Sequence, residues 1–318
     1  MIYLNEENIK QLGIRWEETI NAIEATVYCL ADHDFAQPIK PYLRYRDLKN
    51  RIIAMPAFVG GNINMAGIKW IASFPDNINK GIPRAHSVVI LNQADTGKPI
   101  GIINTALLSI IRTASVSGLM IKYFNKSREL KKVKIGMTGF GPIGQYHLKM
   151  CNEILKDKIE KISVFDIRKI DKNLLPENTE IVSSWQEAYE DADIFMTCTV
   201  SKEQYINIPP KKGSLQLNVS LRDYTTDTFD FFKNAIIVDD WEEVCREKTD
   251  IEVMHLKKGL LEKDTKSIID VVVKNCLNDY TPEQSILFNP MGMAVFDIAI
   301  GTYYQELAQN NKIGTQLI

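Results

Sequence analysis

Two patterns of hydrophobic and polar positions divide the chain. In residues 1–120, helical spacing at 5–12 and 15–31 precedes strand-like runs at 39–44, 51–55, 65–74 and 86–92. Turn residues such as those at 60–62 and 95–97 separate these runs, and a long apolar helix is predicted over 107–124. This order predicts an α+β domain with an antiparallel or mixed sheet.

From residue 133 onward, short apolar runs alternate with helix-compatible stretches. Strands are predicted at 134–138, 161–165, 180–183, 194–199, 214–219 and 235–238, and one of the intervening helices at 185–191. This alternation is typical of a doubly wound parallel sheet of the Rossmann type. After Pro290 we expect a helix at 292–310 and no further strand. We therefore predict an α/β protein with a Rossmann domain at 121–291 and a discontinuous α+β domain at 1–120 and 292–318.

The first strand of the second pattern ends in a Gly-x-Gly-x-x-Gly turn before a helix, which predicts a dinucleotide site. Gly139 allows the turn, Gly141 lets the backbone approach a pyrophosphate, and Gly144 lets the helix pack on the strand. The helix N-terminus adds free N–H groups for the phosphates. A glycine-rich turn without a ligand is the alternative. The predicted cofactor-binding residues here are Gly139, Phe140, Gly141, Pro142, Ile143 and Gly144.

Asp166 follows the next predicted strand, about 20 residues after the glycines, where an acidic residue binds the adenosine ribose. A carboxylate at this position repels a 2′-phosphate, so NAD is favoured over NADP. Arg168 keeps NADP open as an alternative.

Composition excludes several classes of protein. The chain has 318 residues, 45% of them hydrophobic and 25% charged, with a net charge of −2, so neither nucleic acid nor an anionic membrane is an expected partner. Polar residues interrupt the apolar region 102–120, and the first residues do not resemble a secretory signal. The five cysteines are dispersed and the histidines isolated. We expect a cytoplasmic protein with reduced thiols and no metal site.

Four charged residues stand among apolar or small neighbours: Arg44, Lys69, Arg112 and Asp223. A charge inside an apolar element is costly unless it is paired or faces a ligand. An amino acid would suit them, with Arg44 and Lys69 on its carboxylate and Asp223, after a Rossmann strand, near its amino group. The alternatives are a lysine whose amine reaches solvent, a structural ion pair for Arg112, and a loop or capping carboxylate for Asp223.

Smaller signals lie at two further turns. Thr197, Cys198 and Thr199 end a Rossmann strand near the expected ribose and nicotinamide, although ordinary strand residues would look the same. Met291 and Gly292 lead into the last helix, where close approach to the cofactor and plain packing are equally compatible with the sequence.

Taken together, these motifs resemble the ornithine cyclodeaminase/mu-crystallin family. The resemblance extends over nearly the whole chain and rests on the glycine turn and on the segments 53–56, 67–69, 112–114, 197–200, 218–223 and 292–297. It implies NAD(P)-linked chemistry at the Cα–N bond of amino acids or imines. It also implies a Rossmann domain and a substrate-binding domain that dimerises through its sheet.

The resemblance also implies residue roles. The family's substrate-binding arginine and lysine fall on Arg44, with Lys40 as the alternative, and on Lys69; its helix arginine falls on Arg112 and its catalytic aspartate on Asp223. The chain departs from the family at Pro290, where the ornithine enzyme has serine, and at Phe296, where many members have glutamate. Arg112 is also expected to bind substrate, and Arg84 and Arg222 are expected to supply two further cations for it. The remaining residues expected to bind cofactor are Arg112, Thr113, Asn218, Ser220, Met291 and Gly292.

One branch of the family matches more closely, in the segments 40–44, 51–56, 67–71, 238–248 and 289–294. It implies NAD-dependent cleavage of N-(2-amino-2-carboxyethyl)-L-glutamate to 2-oxoglutarate and L-2,3-diaminopropionate for siderophore synthesis, with Asp223 and Lys69 as catalytic residues. An ornithine or lysine cyclodeaminase, or another amino-acid dehydrogenase, is the alternative within the family. A non-catalytic mu-crystallin-like protein that binds NAD(P)H and a small ligand is the alternative of another class.

Overall fold

A computed structural model describes residues 1–317, which divide into two compact units. The first unit is Met1–Thr113 together with the segment that begins at Gly292, and the second is Ala114–Met291. The predicted boundary after residue 120 and the division at 113/114 both fall inside one long helix, Leu107–Arg128. A helix that runs through the boundary carries no turn residue to mark it, which explains the offset.

The strands and helices, in chain order, are β1 (Ile2–Leu4), α1 (Glu6–Leu12), α2 (Trp16–Ala31), β2 (Phe35–Ala36), β3 (Tyr42–Leu43), β4 (Arg51–Val59), β5 (Met65–Ser73), β6 (Ala85–Gln93), β7 (Pro99–Asn104), α3 (Leu107–Arg128), β8 (Val133–Thr138), α4 (Pro142–Leu155), β9 (Ile159–Phe165), β10 (Thr179–Ile181), α5 (Trp185–Tyr189), β11 (Ile194–Thr197), β12 (Leu215–Leu217), α6 (Phe229–Phe232), β13 (Ile236–Val238), α7 (Trp241–Val244), α8 (Asp250–Lys258), β14 (Lys266–Ser267), α9 (Ile268–Val272), β15 (Ile286–Asn289), α10 (Ala294–Asn311) and β16 (Thr315–Gln316). Short 3-10 turns lie at Pro75–Lys80, Lys156–Lys158, Lys172–Leu174, Thr226–Thr228, Glu262–Asp264 and Cys276–Asp279.

The first unit is built on a mixed sheet in the order β16-β1-β7-β6-β5-β4-β2, with β3 also paired to β4. Strands β4, β5 and β6 are antiparallel, whereas β1 runs parallel to β7. Helix α10 packs on β4, β5 and β6 and also against α2. Alternate strand residues such as Met55, Lys69 and Val89 are buried on the side of the sheet that α10 covers.

The prediction for this unit was wrong at several strands. The expected strand at 39–44 is reduced to β3, because Pro38 and Pro41 cannot donate to a ladder. Strand β4 instead continues through Pro56, which lies between the β4 residues paired with β3 and those paired with β2. The short strands β1, β2 and β7 were not predicted, and β16 contradicts the expectation of no strand after Pro290. β16 forms because β1 offers it an edge.

The second unit is a parallel sheet in the order β10-β9-β8-β11-β12-β15-β13-β14. The chain reverses its direction of travel across the sheet between β8 and β11, which is where doubly wound folds bind ligands beyond the carboxyl ends of the strands. The predicted fold class, α/β with a Rossmann sheet and a second α+β unit, is confirmed. Strands β14 and β15 were missed, and β15 inserts between β12 and β13. Its four residues are all buried, so it shows no alternation that a pattern could detect.

Helix α3 is long and apolar enough to cross a membrane by composition alone. However, 78% of its most apolar stretch is buried inside the protein, as in the core helix of a folded domain.

Candidate active site

The turn after β8 requires glycine at two positions. Gly139 has a φ of +88°, and a Cβ atom there would lie 2.4 Å from the carbonyl oxygen of Cys198. A Cβ atom at Gly144 would lie 2.3 Å from the carbonyl oxygen of Gly139, so the first turn of α4 sits directly on the loop. Strand, turn and helix are thereby held in the compact arrangement of a dinucleotide-binding unit.

The space beside Gly141 is open. Among the described residues, a Cβ atom there would meet Arg168 alone, whose Nη2 atom would lie 3.8 Å away. Gly141 is also the N-cap of α4, and as a glycine it has no side chain to cap the helix. The N–H groups and partial positive charge of that helix end suit an anion, so the turn fits the pyrophosphate of a dinucleotide.

Asp166 lies just beyond β9, beside the glycine turn. Its Oδ2 accepts the Phe140 N–H at 2.7 Å, and its Oδ1 accepts the Arg168 N–H at 2.8 Å. Burial raises the pKa of Asp166, but these N–H donors and the Arg168 guanidinium outweigh burial and hold the pKa below its usual value. Asp166 is therefore an anion at neutral pH, and its remaining acceptor capacity suits ribose hydroxyls.

Polar side chains connect the carboxyl ends of three neighbouring strands of the second unit. Thr197, at the end of β11, donates to Asn218 Oδ1 at 3.1 Å, just after β12. Asn218 Nδ2 in turn donates to Asn289 Oδ1 at 2.8 Å, at the end of β15. All three residues are buried, and the side-chain atoms that form these bonds are thereby paired with hydrogen-bond partners.

Asp223 is fully buried in the turn after β12, and two hydroxyl groups hold its carboxylate. Thr199 Oγ1 donates to Oδ1 at 2.5 Å, and Ser220 Oγ donates to Oδ2. The backbone N–H of Tyr205 donates to the Asp223 carbonyl at 2.9 Å, and the Tyr205 phenol bonds to Thr138 Oγ1 at 2.8 Å. Burial and the charge of Asp223 raise the pKa of Tyr205, so the phenol stays neutral.

Cys198 lies between Thr197 and Thr199 in the chain. Burial raises the pKa of its thiol, and the charge of Asp223 adds to this shift. A thiol with a raised pKa is a poor nucleophile, so the polar chemistry of this strand end belongs to its neighbours.

The first unit contains a buried ionic group formed by three elements. Lys69 in β5 donates to Asp297 Oδ2 at 2.7 Å, and Arg112 Nε in α3 donates to Oδ1 at 3.0 Å. Asp297 lies in α10 and has no exposed surface. Burial raises its pKa, but Arg112 and Lys69 outweigh burial and hold the pKa of Asp297 below its usual value. This group is therefore a carboxylate clasped by two cations.

Lys69 is 2% exposed and also donates to Ser109 Oγ at 3.3 Å. Burial lowers the pKa of Lys69 to about 7; the charge of Asp297 opposes this shift, and the charges of Arg112 and Lys40 add to it. The Asp297 contact at 2.7 Å favours the charged amine, but Lys69 loses its proton far more readily than an ordinary lysine.

A third cation, Lys40, belongs to this ionic group. Its Nζ donates to the Gly292 carbonyl at 2.7 Å, and the side chain is 4% exposed. Gly292 has a φ of +88°, and a Cβ atom there would lie 2.4 Å from Arg112 Nη1. Glycine at 292 therefore lets the chain pass directly over the Arg112 guanidinium while its carbonyl binds Lys40.

The structure does not place the other predicted arginines in this ionic group. Arg44 donates to the Leu48 carbonyl at 2.9 Å and lies over the Tyr42 ring, so Lys40 is the cation of this segment found beside Lys69. Arg84 immediately precedes β6. Arg222 is half-buried, and its guanidinium donates to the carbonyls of Ser220 at 3.3 Å and Glu247 at 2.9 Å.

Two predicted cofactor residues have local bonds. Thr113 donates to the Ser109 carbonyl at 2.8 Å within α3, and the Met291 N–H donates to Asp239 Oδ1 at 3.0 Å.

Sequence reasoning missed three residues at these sites. Asp297 entered only within a family motif, although an acid among apolar neighbours in a helix raises the same question that singled out Arg112. Asp250, which binds the Asp223 turn, looks like an ordinary first-turn acid after the N-cap Thr249. Tyr205 had no detectable signal, because its role depends on contacts with distant strands.

A sequence profile of the ornithine cyclodeaminase/mu-crystallin family matches residues 3–312. The chain belongs to this family. The resemblance inferred from the motifs is thus confirmed.

Among relatives of known name, the chain is 34% identical to N-((2S)-2-amino-2-carboxyethyl)-L-glutamate dehydrogenase of Staphylococcus aureus, over 100% of this chain and 98% of the relative. It is 26% identical to the alanine dehydrogenase of Archaeoglobus fulgidus, over 99% of this chain and 98% of the relative.

Solved structures share the fold of this chain. The Thermococcus litoralis Delta(1)-pyrroline-2-carboxylate reductase, in complex with NADH and L-proline, aligns with a TM-score of 0.88 at 22% identity and covers 100% of both chains. An archaeal alanine dehydrogenase dimer with bound NAD aligns with a TM-score of 0.83 at 23% identity over 100% of this chain and 99% of that one.

We predict that Asp297→Asn destabilises the protein by about 3–5 kcal/mol, because it leaves Lys69 and Arg112 buried without their carboxylate. The control is Glu180→Gln, which breaks an ion pair with Lys161 whose side chains are 58% and 48% exposed and should cost less than about 1 kcal/mol. Urea unfolding measures both. Equal losses in the two variants would contradict a structural role for the Asp297 ion group.

Proposed function

We propose that this protein is an NAD-dependent dehydrogenase that cleaves N-(2-amino-2-carboxyethyl)-L-glutamate. The products are 2-oxoglutarate and L-2,3-diaminopropionate, an amino acid that would serve siderophore synthesis in the cytoplasm. The observation that carries the proposal is the buried cationic group in a chain that aligns end to end with a relative of that activity. Lys69 and Arg112 bind one carboxylate, that of Asp297, and Lys40 adds a third positive charge beside Lys69, so the group has more cations than carboxylates for an anionic substrate.

The second unit holds the cofactor in this proposal. The open side of Gly141 and the start of α4 take the pyrophosphate, and the anionic Asp166 takes the adenosine ribose in preference to a 2′-phosphate. Thr197, Thr199 and Asn218 supply polar groups at the strand ends. When bound, NAD supplies the acceptor for the hydride that leaves the glutamyl Cα.

The cations of the first unit bind the substrate's carboxylates. The substrate has three carboxylates, and Lys40, Lys69 and Arg112 hold the one next to the reacting Cα in a fixed orientation. Arg44 and Arg84 are proposed for the outlying carboxylates. Arg222 is better explained as a support of the Asp223 turn, because its guanidinium already binds two backbone carbonyls of the second unit.

Asp223 is the general base of the proposed reaction. As hydride leaves Cα and the Cα–N bond becomes an imine, Asp223 takes the proton from the secondary amine nitrogen. Asp223 then releases this proton to solvent. Water adds to the imine carbon, and Asp223 passes both protons of that water in turn to the nitrogen, the second as the carbonyl forms and the C–N bond breaks. Overall, N-(2-amino-2-carboxyethyl)-L-glutamate (the adduct), NAD⁺ and water give 2-oxoglutarate, L-2,3-diaminopropionate, NADH and H⁺. Thr199 and Ser220 hold the Asp223 carboxylate in place for these transfers.

The test is NADH formation by the purified protein with NAD or NADP and the adduct, with L-ornithine, L-alanine and L-glutamate in parallel. We expect NADH and 2-oxoglutarate to form only when the adduct is the substrate and NAD, not NADP, is the cofactor. Asp223→Asn should lower kcat roughly 10²–10⁴-fold while NADH binding persists, because proton transfer is lost and the fold is kept. The matched control is Asp270→Asn, which alters a capping carboxylate of α9.

Other outcomes of this assay decide against the proposal. Proline and ammonium from ornithine would make the protein a cyclodeaminase, and NADH with alanine would make it a simple amino-acid dehydrogenase. Binding of NADH without turnover of any substrate would identify a mu-crystallin-like binding protein.

The Lys69 amine gives the reaction a predicted pH dependence. With a pKa of about 7, its charged form is present below that pH and is lost above it, so kcat/KM for the adduct should fall as pH rises through this range. Lys69→Arg stays charged at these pH values and should lose that decline, at a lower absolute kcat/KM. Lys161→Arg, at an exposed lysine, should leave the profile unchanged. A wild-type profile that does not decline would contradict the assignment.

We also propose that the protein is a homodimer formed through the sheet of the first unit. The face of β4, β5 and β6 opposite α10 is apolar and half-exposed, with Pro56, Ile68 and Ile90 in register across it. Trp70 on this face is 40% exposed and pairs in register with Ala54 and Val88. A continuous apolar patch of this kind is typical of an interface.

Trp70→Arg is expected to convert the dimer to a monomer in light scattering coupled to gel filtration, because it places a charge in the centre of this apolar face. The control is Leu256→Arg, at an apolar side chain of α8 that is 73% exposed. A wild-type monomer, or a Trp70→Arg dimer, would refute this interface.

A further inference from the structure

The turn that carries Asp223 has an unfavourable backbone conformation. Leu221 has a φ of +64°, in the left-handed region that is unfavourable for a residue with a side chain. The turn must therefore be held by its surroundings. One side chain beside the turn stabilises it directly: Asn218 Oδ1 accepts the Leu221 N–H at 3.1 Å.

The main hold comes from Asp250, the first residue of α8, which has no exposed surface. Its Oδ2 accepts the backbone N–H groups of Asp223 and Tyr224, each at 3.0 Å, and Asn218 Nδ2 at 2.9 Å. The Asp250 N–H donates to the Leu221 carbonyl at 2.8 Å. One residue thus binds the turn on both sides of Asp223.

The other carboxylate oxygen of Asp250 is also engaged. Gln204 Nε2 donates to Oδ1 at 2.5 Å, so four donors converge on a buried carboxylate. A buried charge is tolerated when it is hydrogen-bonded in this way, and an apolar residue could not replace it without leaving four N–H donors unsatisfied.

The segment leading to Asp250 is itself tightly constrained. Glu247 and Lys248 both have left-handed φ values, +62° and +59°, and the Glu247 carbonyl accepts Arg222 Nη2 at 2.9 Å. The segment 247–250 therefore contacts the turn twice, through this carbonyl and through Asp250. Backbone strain of this kind persists where surrounding contacts over-determine the conformation.

We propose that Asp250 is the positioning residue of the active site: its carboxylate holds the turn so that the Asp223 side chain lies against Thr199 and Ser220 in the orientation needed for proton transfer. This proposal rests on the proposed role of Asp223 as base. Asp250 bonds to the backbone of Asp223 and does not itself transfer a proton to substrate.

The charge state of Asp250 provides a distinguishing signal. Burial raises its pKa to about 6, bonds from Tyr224 N–H, Gln204 and Asn218 oppose the shift, and the facing charge of Asp223 adds to it. The other titratable group facing it is the Tyr224 phenol, which burial keeps neutral. Asp250 is thus an anion above about pH 6, and its grip on the turn weakens as pH falls through that value.

The experiment combines kinetics with amide hydrogen exchange in Asp250→Asn, which keeps the shape and removes the charge. We expect kcat at pH 8 to fall by roughly tenfold or more, as for a displaced catalytic group, with KM for NAD within about twofold of wild type. The loss of activity below pH 6 should disappear. The amides of Asp223 and Tyr224 should exchange faster, while the Thr225 amide, bonded to the Ile206 carbonyl at 2.9 Å, should not change.

Asp270→Asn is the matched control, because Asp270 also accepts a backbone N–H, that of Ser267 at 2.8 Å, in the same unit. It should leave kcat, its pH profile and the exchange of the turn unchanged. If Asp250→Asn keeps wild-type kcat, or if the turn's amides exchange as in wild type, Asp250 does not position Asp223.

Two further measurements test the proposal if the first experiment cannot. If Asp250→Asn does not fold, Gln204→Ala removes one donor to the charged carboxylate and should move the acid limb of kcat to higher pH; a limb that stays in place overturns the proposal. If the wild type turns over no amino acid, the proposed function fails. The exchange of the turn in Asp250→Asn then still decides whether Asp250 holds it.

Discussion

The buried carboxylate of Asp297 is the constraint on which the first unit depends. It neutralises charge on Lys69 in β5 and Arg112 in α3, and it lies in α10, far along the chain from both. None of the three charges could be buried alone at an acceptable cost. The C-terminal segment must therefore return to the sheet formed near the N-terminus, which is why this unit is discontinuous. Burial in this unit lowers the pKa of Lys69 to about 7, and the charge of Asp297 opposes that shift.

The second unit uses a related device at Asp250. There the buried carboxylate has no cation partner in the described contacts and is satisfied by amide donors, two of them from the backbone of the Asp223 turn. Because a carboxylate can accept several bonds at once, one residue can hold a turn whose φ at Leu221 is unfavourable. Rigidity at this strand end comes from hydrogen bonds, whereas rigidity around Lys69 comes from charge.

These two arrangements match the demands of the proposed chemistry. Binding an acidic substrate requires excess positive charge. Lys69 and Arg112 share the single carboxylate of Asp297, and Lys40 adds a further positive charge beside Lys69. Removing protons requires a carboxylate held in a fixed orientation, which the hydroxyl donors around Asp223 provide. The cations that orient the substrate are thus held by ion pairs, and the carboxylate that accepts protons is held by hydrogen bonds from hydroxyl groups. A substitution in either place should therefore change the kinetics in a different way.

Periodicity and local chemistry in the sequence determined much of this protein. The alternation after residue 133, the glycine turn and Asp166 predicted the Rossmann sheet, because the strand–turn–helix unit is local in sequence. Lys69, Arg112 and Asp223 stood out because a charge among apolar residues is costly wherever the chain folds. The short strands β14, β15 and β16 escaped prediction, since their pairing depends on strands distant in the chain.

The tertiary structure decided which charges meet. Nothing local distinguishes Lys40 from Arg44, yet the packing of Gly292 over Arg112 brings the Lys40 amine to a backbone carbonyl beside the ion group, while Arg44 contacts its own loop. In the sequence, Asp250 looks like an ordinary acid in the first turn of a helix, and its bonds to the Asp223 turn exist only in the folded chain. Sequence fixes the cost of burying each group, but partners that lie far apart in the chain are chosen only when the chain is packed.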